Sequence, residues 1–389
     1  MRTVLATYDG VLSGPGRSQT VPYARGLAER GHAMVLLSYE LPERLADTQL
    51  VAEVEAALNG VPWVRLPWRR SAPGDLASGV RALRRVAREH RADVIHARGY
   101  VPALLARILR LPYVFDMRGF WPDERVDGGL WERGGAGYRT WKRIERSLLA
   151  RAGAVIVLAQ RGRDELHRVG LVADDRTIHV VPTCTDLERF RVVPEAERVP
   201  EARGAGARWV ILGGTSTWYL PEAMLDLGAR ALARDETAVL HVLTQDDPAP
   251  VIAELARRGI PDARVVVRAV PHAEVPRWIS GATAGIALLR DAPSKVASCP
   301  TKLGEFLACG VPLIVSGRCG DVDSLLAEER VGVSLNDVSD AALEAGLDRM
   351  ADVCASPDLA MRCRGVAERR FAVSIALDVY ERAYREAVA

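Results

Sequence analysis

Short runs of β-branched and apolar residues alternate along the chain with longer stretches whose apolar positions recur every three or four residues. That alternation is the pattern of parallel α/β construction. In the first half it predicts strands at 3–8, 33–38, 63–66, 94–97, 113–117 and 154–158, closed by a last strand at 178–181. Helices are predicted at 20–30, 74–90, 101–109 and 137–151. Residues 192–206 have no clear period and are rich in Pro, Glu, Arg, Gly and Ala, which reads as a linker. The pattern then restarts, with strands at 209–212, 239–244, 265–269, 284–289, 312–316 and 331–333. Helices are predicted at 221–234, 248–258, 274–280, 301–308, 321–328 and 341–350, and a strong terminal helix at 374–387.

At 389 residues the chain is too long for one ordinary core, and the two similar halves read as two doubly wound, Rossmann-like domains. Ligands in such sheets bind beyond the strand C-termini, so two facing sheets place the site in a deep interdomain cleft. The expected division is 1–190, a linker at 191–206, 207–370, and a final helix at 371–389 that crosses back to the first domain. Hydrophobic residues at 49% and charged residues at 26% are ordinary for a globular protein. No run is long enough to span a bilayer, and the N-terminus reads as a first strand without a signal peptide. The expected location is therefore cytoplasmic. The six cysteines include no C-x-x-C pair and no accompanying histidine cluster, so neither a disulfide framework nor a metal site is expected. The net charge of +2 gives no argument for a nucleic-acid partner.

The segment richest in chemistry is Ser298-Cys299-Pro300-Thr301-Lys302-Leu303-Gly304-Glu305, continuing to Gly310 and Pro312. It reads as a loop entering a helix near Pro300, stopped by Gly310 and Pro312. A helix N-terminus offers N–H groups and partial positive charge to a diphosphate, and Lys302 adds a full charge. Glu305 lies one turn on, on the face of Thr301 and Lys302, where a carboxylate can accept the hydroxyls of a ribose.

This stretch resembles the donor-binding segment of GT-B glycosyltransferases of family 4, in the form S-x-P-x-K-x-x-E-[FY]-L-A-x-G-x-P. The resemblance implies that Glu305 binds the nucleotide ribose. Ala297 stands where many members carry a glutamate for the donor sugar, and Lys295 is a candidate in its place. Gly213-Gly214-Thr215-Ser216-Thr217-Trp218-Tyr219 resembles the loop that covers the donor. Val270 opens the loop whose backbone is implied to pair with the base, and Ser298, Thr301, Lys302, Gly214 and Thr215 complete the implied donor set in this half. The run from Val181 to Phe190 resembles the segment that ends the first domain, and the helix holding Tyr380 resembles the family's crossover helix.

In the first half, Ser13-Gly14-Pro15-Gly16-Arg17-Ser18-Gln19 joins the first strand to the first helix. A dehydrogenase fingerprint would need glycine at Gln19, and Glu40 after the second strand is a weak imitation of that fold's acidic residue. The glycosyltransferase resemblance instead sets Gly14, Gly16 and Arg17 near the donor phosphates. Asp116-Met117-Arg118-Gly119-Phe120-Trp121-Pro122-Asp123-Glu124 follows a buried strand and resembles a D-M-R-G-F-W subgroup. Its mixture of aromatics, arginine and acids points to a site, and the resemblance implies that Arg118 lies near the transferred sugar, with Phe120, Trp121, Asp123 and Glu124 toward the acceptor. A structural ion pair of Arg118 with Asp116 or Asp123 is the competing reading. His96, at the end of the preceding strand, matches the family's I-H-x-H segment and joins Arg118 and Lys302 as a candidate for catalysis.

The resemblance implies retaining transfer of a sugar from a nucleoside-diphosphate sugar, UDP-linked by preference, to a hydroxyl of a small molecule, a glycan or a lipid-linked acceptor. Neither metal nor cofactor is expected; Asp321-Val322-Asp323 reads as a helix start. The alternatives are a same-fold nucleotide-sugar 2-epimerase or phosphorylase, and a non-catalytic sugar-nucleotide-binding partner. Arg81, Arg84, Arg85 and Arg88 share one face of a helix, which is either a solvated face or a peripheral contact with anionic lipid at the inner membrane surface.

Overall fold

In a computed structural model, which describes residues 1–69, 72–204, 206–214 and 218–389, the apolar runs form two parallel sheets. Contacts divide the chain into two units. The first comprises Met1–Asp186, Val296–Ser298 and Ala372–Ala389; the second comprises Leu187–Lys295 and Cys299–Phe371.

The first unit contains strands β1 (Arg2–Thr7), β2 (Ala33–Glu40), β3 (Trp63–Pro67), β4 (Val94–Arg98), β5 (Tyr113–Asp116), β6 (Ala154–Val157) and β7 (Ile178–Val180). They run in the order β3-β2-β1-β4-β5-β6-β7. Helices α1 (Gly14–Glu29), α2 (Pro42–Leu45), α3 (Thr48–Leu58), α4 (Ala72–Glu89), α5 (Tyr100–Leu109), α6 (Trp121–Asp127), α7 (Ala136–Arg151) and α8 (Gln160–Arg168) connect them. One core packs α4, α5 and α7 on one face of the sheet, through residues such as Leu83, Val86, Leu105 and Leu148. The other face carries α1 and α3 and a helix from the far end of the chain. Both faces being covered, the central strands are buried at every position rather than alternating between buried and exposed, as in other parallel sheets.

The second unit repeats the plan with β8 (Arg208–Leu212), β9 (Val239–Leu243), β10 (Val265–Arg268), β11 (Ala284–Leu288), β12 (Leu313–Ser316) and β13 (Gly332–Leu335), in the order β10-β9-β8-β11-β12-β13. Its helices are α9 (Pro221–Arg234), α10 (Ala249–Arg257), α11 (Val275–Ile279), α12 (Thr301–Ala308), α13 (Val322–Glu329), α14 (Asp340–Cys354) and α15 (Leu359–Arg370). Both sheets reverse direction of growth once, between β1 and β4 and between β8 and β11. Such a reversal opens a crevice at the strand C-termini.

The last helix, α16 (Val373–Val388), belongs to the first unit. Its buried residues Ala376, Leu377, Val379, Tyr380, Ala383 and Tyr384 recur at helical spacing and pack beside α1. Gly26 of α1 permits this approach: a Cβ there would stand 2.6 Å from Leu377 Cδ1.

The sequence expectation contained neither α2 and α3 nor α6, α8 and α15. In α8 only Gly162 and Leu166 are buried, so an otherwise charged segment shows almost no apolar period. The expected linker is also more ordered than its composition suggests: Glu195–Glu197 and Pro200–Ala202 form 3₁₀ turns, and Val199 and Ala202 enter the second unit's core.

Candidate functional site

In the second unit the chemistry gathers at the switch point between β8 and β11. The helix α12 starts at Pro300, whose backbone is extended and which has no side-chain cap. Its first turn therefore presents backbone N–H groups in the manner of an anion site. Lys302 leans from this turn toward the end of β8, with Nζ 3.4 Å from the Gly214 carbonyl oxygen. Gly213 makes room for it. It has φ +81°, and an added Cβ would lie 3.0 Å from Lys302 Cε.

One turn further, Glu305 is buried, and its Oε1 lies 2.9 Å from His272 Nε2. His272 projects from the loop after β10 and rests its ring 5.1 Å from that of Phe190. In the same loop Val270 is buried, and its carbonyl accepts a hydrogen bond of 2.7 Å from Gln245 Nε2.

Two aromatics cover the lysines of this site. The Leu220 N–H donates to Leu288 and the Arg290 N–H to Trp218, which pins the segment after the glycine loop along the end of β11. Lys302 Nζ then stands 3.5 Å from the Tyr219 ring centre, and Lys295 Nζ stands 3.6 Å from that of Trp218. These are cation–π distances. Burial lowers the Lys302 pKa to about 8, although Glu305 and Asp246 pull it upward. Thr215, expected in the donor set, lies outside the described residues. Ser298, expected there too, groups instead with the first unit, as does Ala297, which lies against Gly162 of α8.

In the first unit, strand register builds a buried ionic cluster. Arg98 and Asp116 are directly paired in the β4–β5 ladder, and His96 lies two residues before Arg98 on the same face. Asp116 Oδ2 is 3.1 Å from Arg98 Nη1 and 3.3 Å from His96 Nε2, while Oδ1 is 3.3 Å from Arg118 Nη1. Burial pushes the Asp116 carboxyl up, but Arg118, His96 and Arg98 together outweigh it and hold it far below the usual range. Arg118 is held protonated in turn: the surrounding negative potential of Asp116 overcomes its burial.

His96 is 1% exposed, and its Nδ1 is 2.7 Å from the Tyr384 hydroxyl. Burial lowers its pKa even beside Asp116, so the ring is neutral. With the carboxylate at Nε2, the proton sits there and Tyr384 donates to Nδ1. These contacts make His96 a tie between Asp116 and α16, where the sequence expectation had it acting on substrate. Arg118, with its side chain 12% exposed against 6% for Arg98, is the cation of the cluster that faces outward. The tie to Asp116 considered from the sequence is present; Asp123, the other acid considered, accepts instead from Tyr138 at 2.9 Å and Lys142 at 3.0 Å.

The loop after β1 is shaped by a residue outside the expected site. Glu40, buried at the end of β2, accepts from the N–H groups of Val11 and Leu12 at 2.9 and 3.1 Å. It therefore clamps backbone, which is incompatible with holding a dinucleotide ribose. Gly16, in the first turn of α1, is needed because a Cβ would meet the Gly10 carbonyl oxygen at 2.1 Å. Gly14 is exposed with open space around it. Arg17, expected near the donor phosphates, pairs with Glu53 of α3, its Nη2 2.9 Å from Oε2.

Of the expected acceptor residues, Phe120 is buried, and Trp121 packs edge-on against Trp141 and Trp131 at 4.7 and 5.3 Å. Arg125 lies over the Trp121 ring. Glu124 turns toward Gly119, whose φ is +143°. Sequence reasoning passed over Arg98, His272 and Tyr384. Arg98 was legible as a charge ending an apolar strand; the other two act through partners remote in sequence. Among the described residues no group of three or more His, Cys, Asp or Glu could hold a metal ion, and none of the cysteines is in a disulfide. Asp321 stands at the N-cap position of α13 without a side-chain capping hydrogen bond, in keeping with its reading as a helix start. No described helix is long and apolar enough to cross a membrane.

A family model described as a glycosyl transferase 4-like domain matches residues 16–184. Comparison with curated proteins finds no match. Among solved structures, sucrose-phosphate synthase from Thermosynechococcus elongatus is similar at a TM-score of 0.73 and 16% identity, covering 99% of this chain and 98% of that one. HepE from Anabaena, in complex with UDP and glucose, is similar at a TM-score of 0.71 and 14% identity, with 98% of each chain covered. A candidate UDP-N-acetylglucosamine 2-epimerase from Listeria monocytogenes is similar at 0.63 and 11%, covering 97% of this chain and 94% of its own. The fold is that of the GT-B glycosyltransferases, with two Rossmann-like units.

Proposed function

We propose that this chain is a glycosyltransferase that takes a sugar from a nucleoside-diphosphate sugar, UDP-linked by preference, and passes it to a hydroxyl acceptor. The observation that carries the reading is the pairing of Lys302 and Glu305 on one face of α12, at the β8–β11 switch point. The open first turn of α12 and Lys302 suit a diphosphate, and the buried Glu305 carboxylate suits two ribose hydroxyls. The glycosyl transferase 4-like match and the UDP held by HepE support the same assignment.

In this reading the bond between the anomeric carbon and the phosphate oxygen breaks, and its electron pair leaves with the diphosphate. Lys302 and the helix N–H groups stabilise that developing charge without a metal. The acceptor oxygen attacks on the face the leaving group vacates, which retains configuration, and its proton passes to the departing phosphate. Arg118 stands ready to hold an anionic group at the first unit's crevice. The donor is identified by incubating the protein with a panel of nucleotide sugars and following release of nucleoside diphosphate by mass spectrometry. Absence of release and of binding for every donor overturns the proposal.

The likeness to a candidate 2-epimerase supports a second reading, in which the same site isomerises its nucleotide sugar. Incubation of donor alone separates the two: an epimerised donor supports the second reading, and slow hydrolysis without epimerisation supports the first.

A further inference from the structure

We propose that the outer surface of α4, α5 and α7 docks onto a bilayer containing anionic lipid. The three helices lie side by side on one face of the first sheet, in the order α4, α5, α7. On α4, Arg81, Arg84, Arg85 and Arg88 are exposed, while Leu83 and Val86 on its opposite side are buried. On α7, Arg139, Arg143, Arg146 and Arg151 are exposed, while Leu148 and Leu149 are buried. Arg91 and Arg110, just beyond α4 and α5, are exposed as well. Against these arginines the three helices expose one acid, Glu89, which stands 4.0 Å from Arg85. Asp75 and Glu145, the other acids of these helices, are buried. Among the described residues, none of the other arginines named has a carboxylate within 4.0 Å. The chain as a whole balances 52 basic against 50 acidic side chains. A surface this one-sided is therefore a local feature, and composition alone does not produce it.

The middle helix selects the occupant. Between the two arginine rows, α5 carries a stripe of half-buried Val101 and Leu104 ending in Ile108, which is 46% exposed. A lipid surface meets both parts of this pattern, taking apolar side chains at the acyl boundary and guanidinium groups at the phosphates. A nucleic acid meets only the second, and these helices offer no exposed aromatic on which a base could stack. A further sign is local. Arg91 and Arg110 have φ of +48° and +54°, at helix ends where glycine would be unstrained, and both add charge to this surface. The inference rests on charge and exposure alone and is independent of the glycosyl-transfer reading.

The test is co-sedimentation of the full chain with vesicles of phosphatidylcholine alone and with added phosphatidylglycerol. Binding is expected only to the second, and salt should release it. Each arginine near the surface contributes about a fivefold gain in partitioning. The variant R84E/R88E/R143E/R146E should therefore lose binding about a hundredfold or more, with its melting temperature and nucleotide binding unchanged. Ile108→Ser, which keeps the charge, should weaken vesicle binding and leave any binding to duplex DNA as it was. Failure to bind the anionic vesicles at low salt, equal binding to both vesicle types, wild-type binding by the folded quadruple variant, or preference for DNA over vesicles overturns the proposal.

Discussion

His272 and Glu305 are joined by a contact of 2.9 Å between Nε2 and Oε1, which ties the loop after β10 to the first turns of α12. The carboxylate that the proposed function assigns to ribose is thus already oriented by a neighbour. Glu305→Ala should weaken binding of nucleoside diphosphate by about 1.5–3 kcal/mol, the worth of charged hydrogen bonds. His272→Ala should weaken it less, because it loosens the carboxylate without removing it. Titration calorimetry on both variants checks this. Unchanged affinity in a folded Glu305→Ala protein removes the residue from the site.

Lys302 sets a pH dependence. Its pKa is lowered by burial to about 8, so it is charged below that value and neutral above it. A diphosphate favours the charged form, so affinity should be highest below about pH 8 and fall as pH rises through it. Lys302→Met should bind weakly and lose this slope. A wild-type affinity that stays flat across that range contradicts a phosphate role for Lys302.

Arg118 carries two readings that one pair of measurements separates. Arg118→Lys keeps the charge and loses the planar fork. If Arg118 holds a substrate group, turnover should fall strongly while melting temperature and nucleotide affinity change little. If it only completes the Asp116 cluster, melting temperature should fall and turnover per folded molecule should persist. A stable variant with full turnover sinks both readings.

Asp116 is the keystone of the same cluster. Asp116→Asn leaves Arg98 and Arg118 buried without their counter-charge, a change that costs about 3–5 kcal/mol in comparable sites. The sign for pH follows from the depressed carboxyl. Its stabilisation is present above the ordinary aspartate range and is lost as pH falls through the lowered folded value. Denaturant melts of the variant and an acid titration of the wild type measure both. A variant as stable as wild type shows that the cluster contributes no net stability.

Chelation supplies the last test. Sugar transfer should survive EDTA, because the proposed mechanism assigns the charge stabilisation to Lys302 and the α12 backbone. Activity abolished by the chelator and restored by manganese would overturn that mechanism; stimulation by magnesium at the product-release step would not.

The strands and the long amphipathic helices were legible in the sequence because their apolar positions repeat with a clear period. The helix α12 was placed to the residue, since Pro300 and Gly310 bracket it chemically. Of the elements that escaped, α2, α6 and α8 are short and bury few side chains, so periodicity has little to act on. The site divided the same way. Lys302 and Glu305 sit three apart on one helix, and spacing reveals them. His272 meets Glu305 across 33 residues, and Tyr384 meets His96 across 288; only tertiary packing creates those pairs. His96 and Arg17 stand at the expected places in their motifs, yet each also meets a partner that the motif does not contain, Tyr384 and Glu53.

The placement of α16 has a consequence for how the polypeptide matures. The first unit needs Ala372–Ala389 to complete its core, yet its other main segment ends at Asp186. On a ribosome, the second unit's residues emerge in between and can pack first. Until Tyr380 and Tyr384 arrive, the sheet side of α1 lacks its cover and His96 lacks its hydroxyl partner. The nascent first unit therefore waits, with apolar surface exposed, while residues 187–371 are made. Its dependence on chaperones should be set by that delay, and a ribosome stalled before α16 should hold a chain whose second unit resists protease and whose first does not.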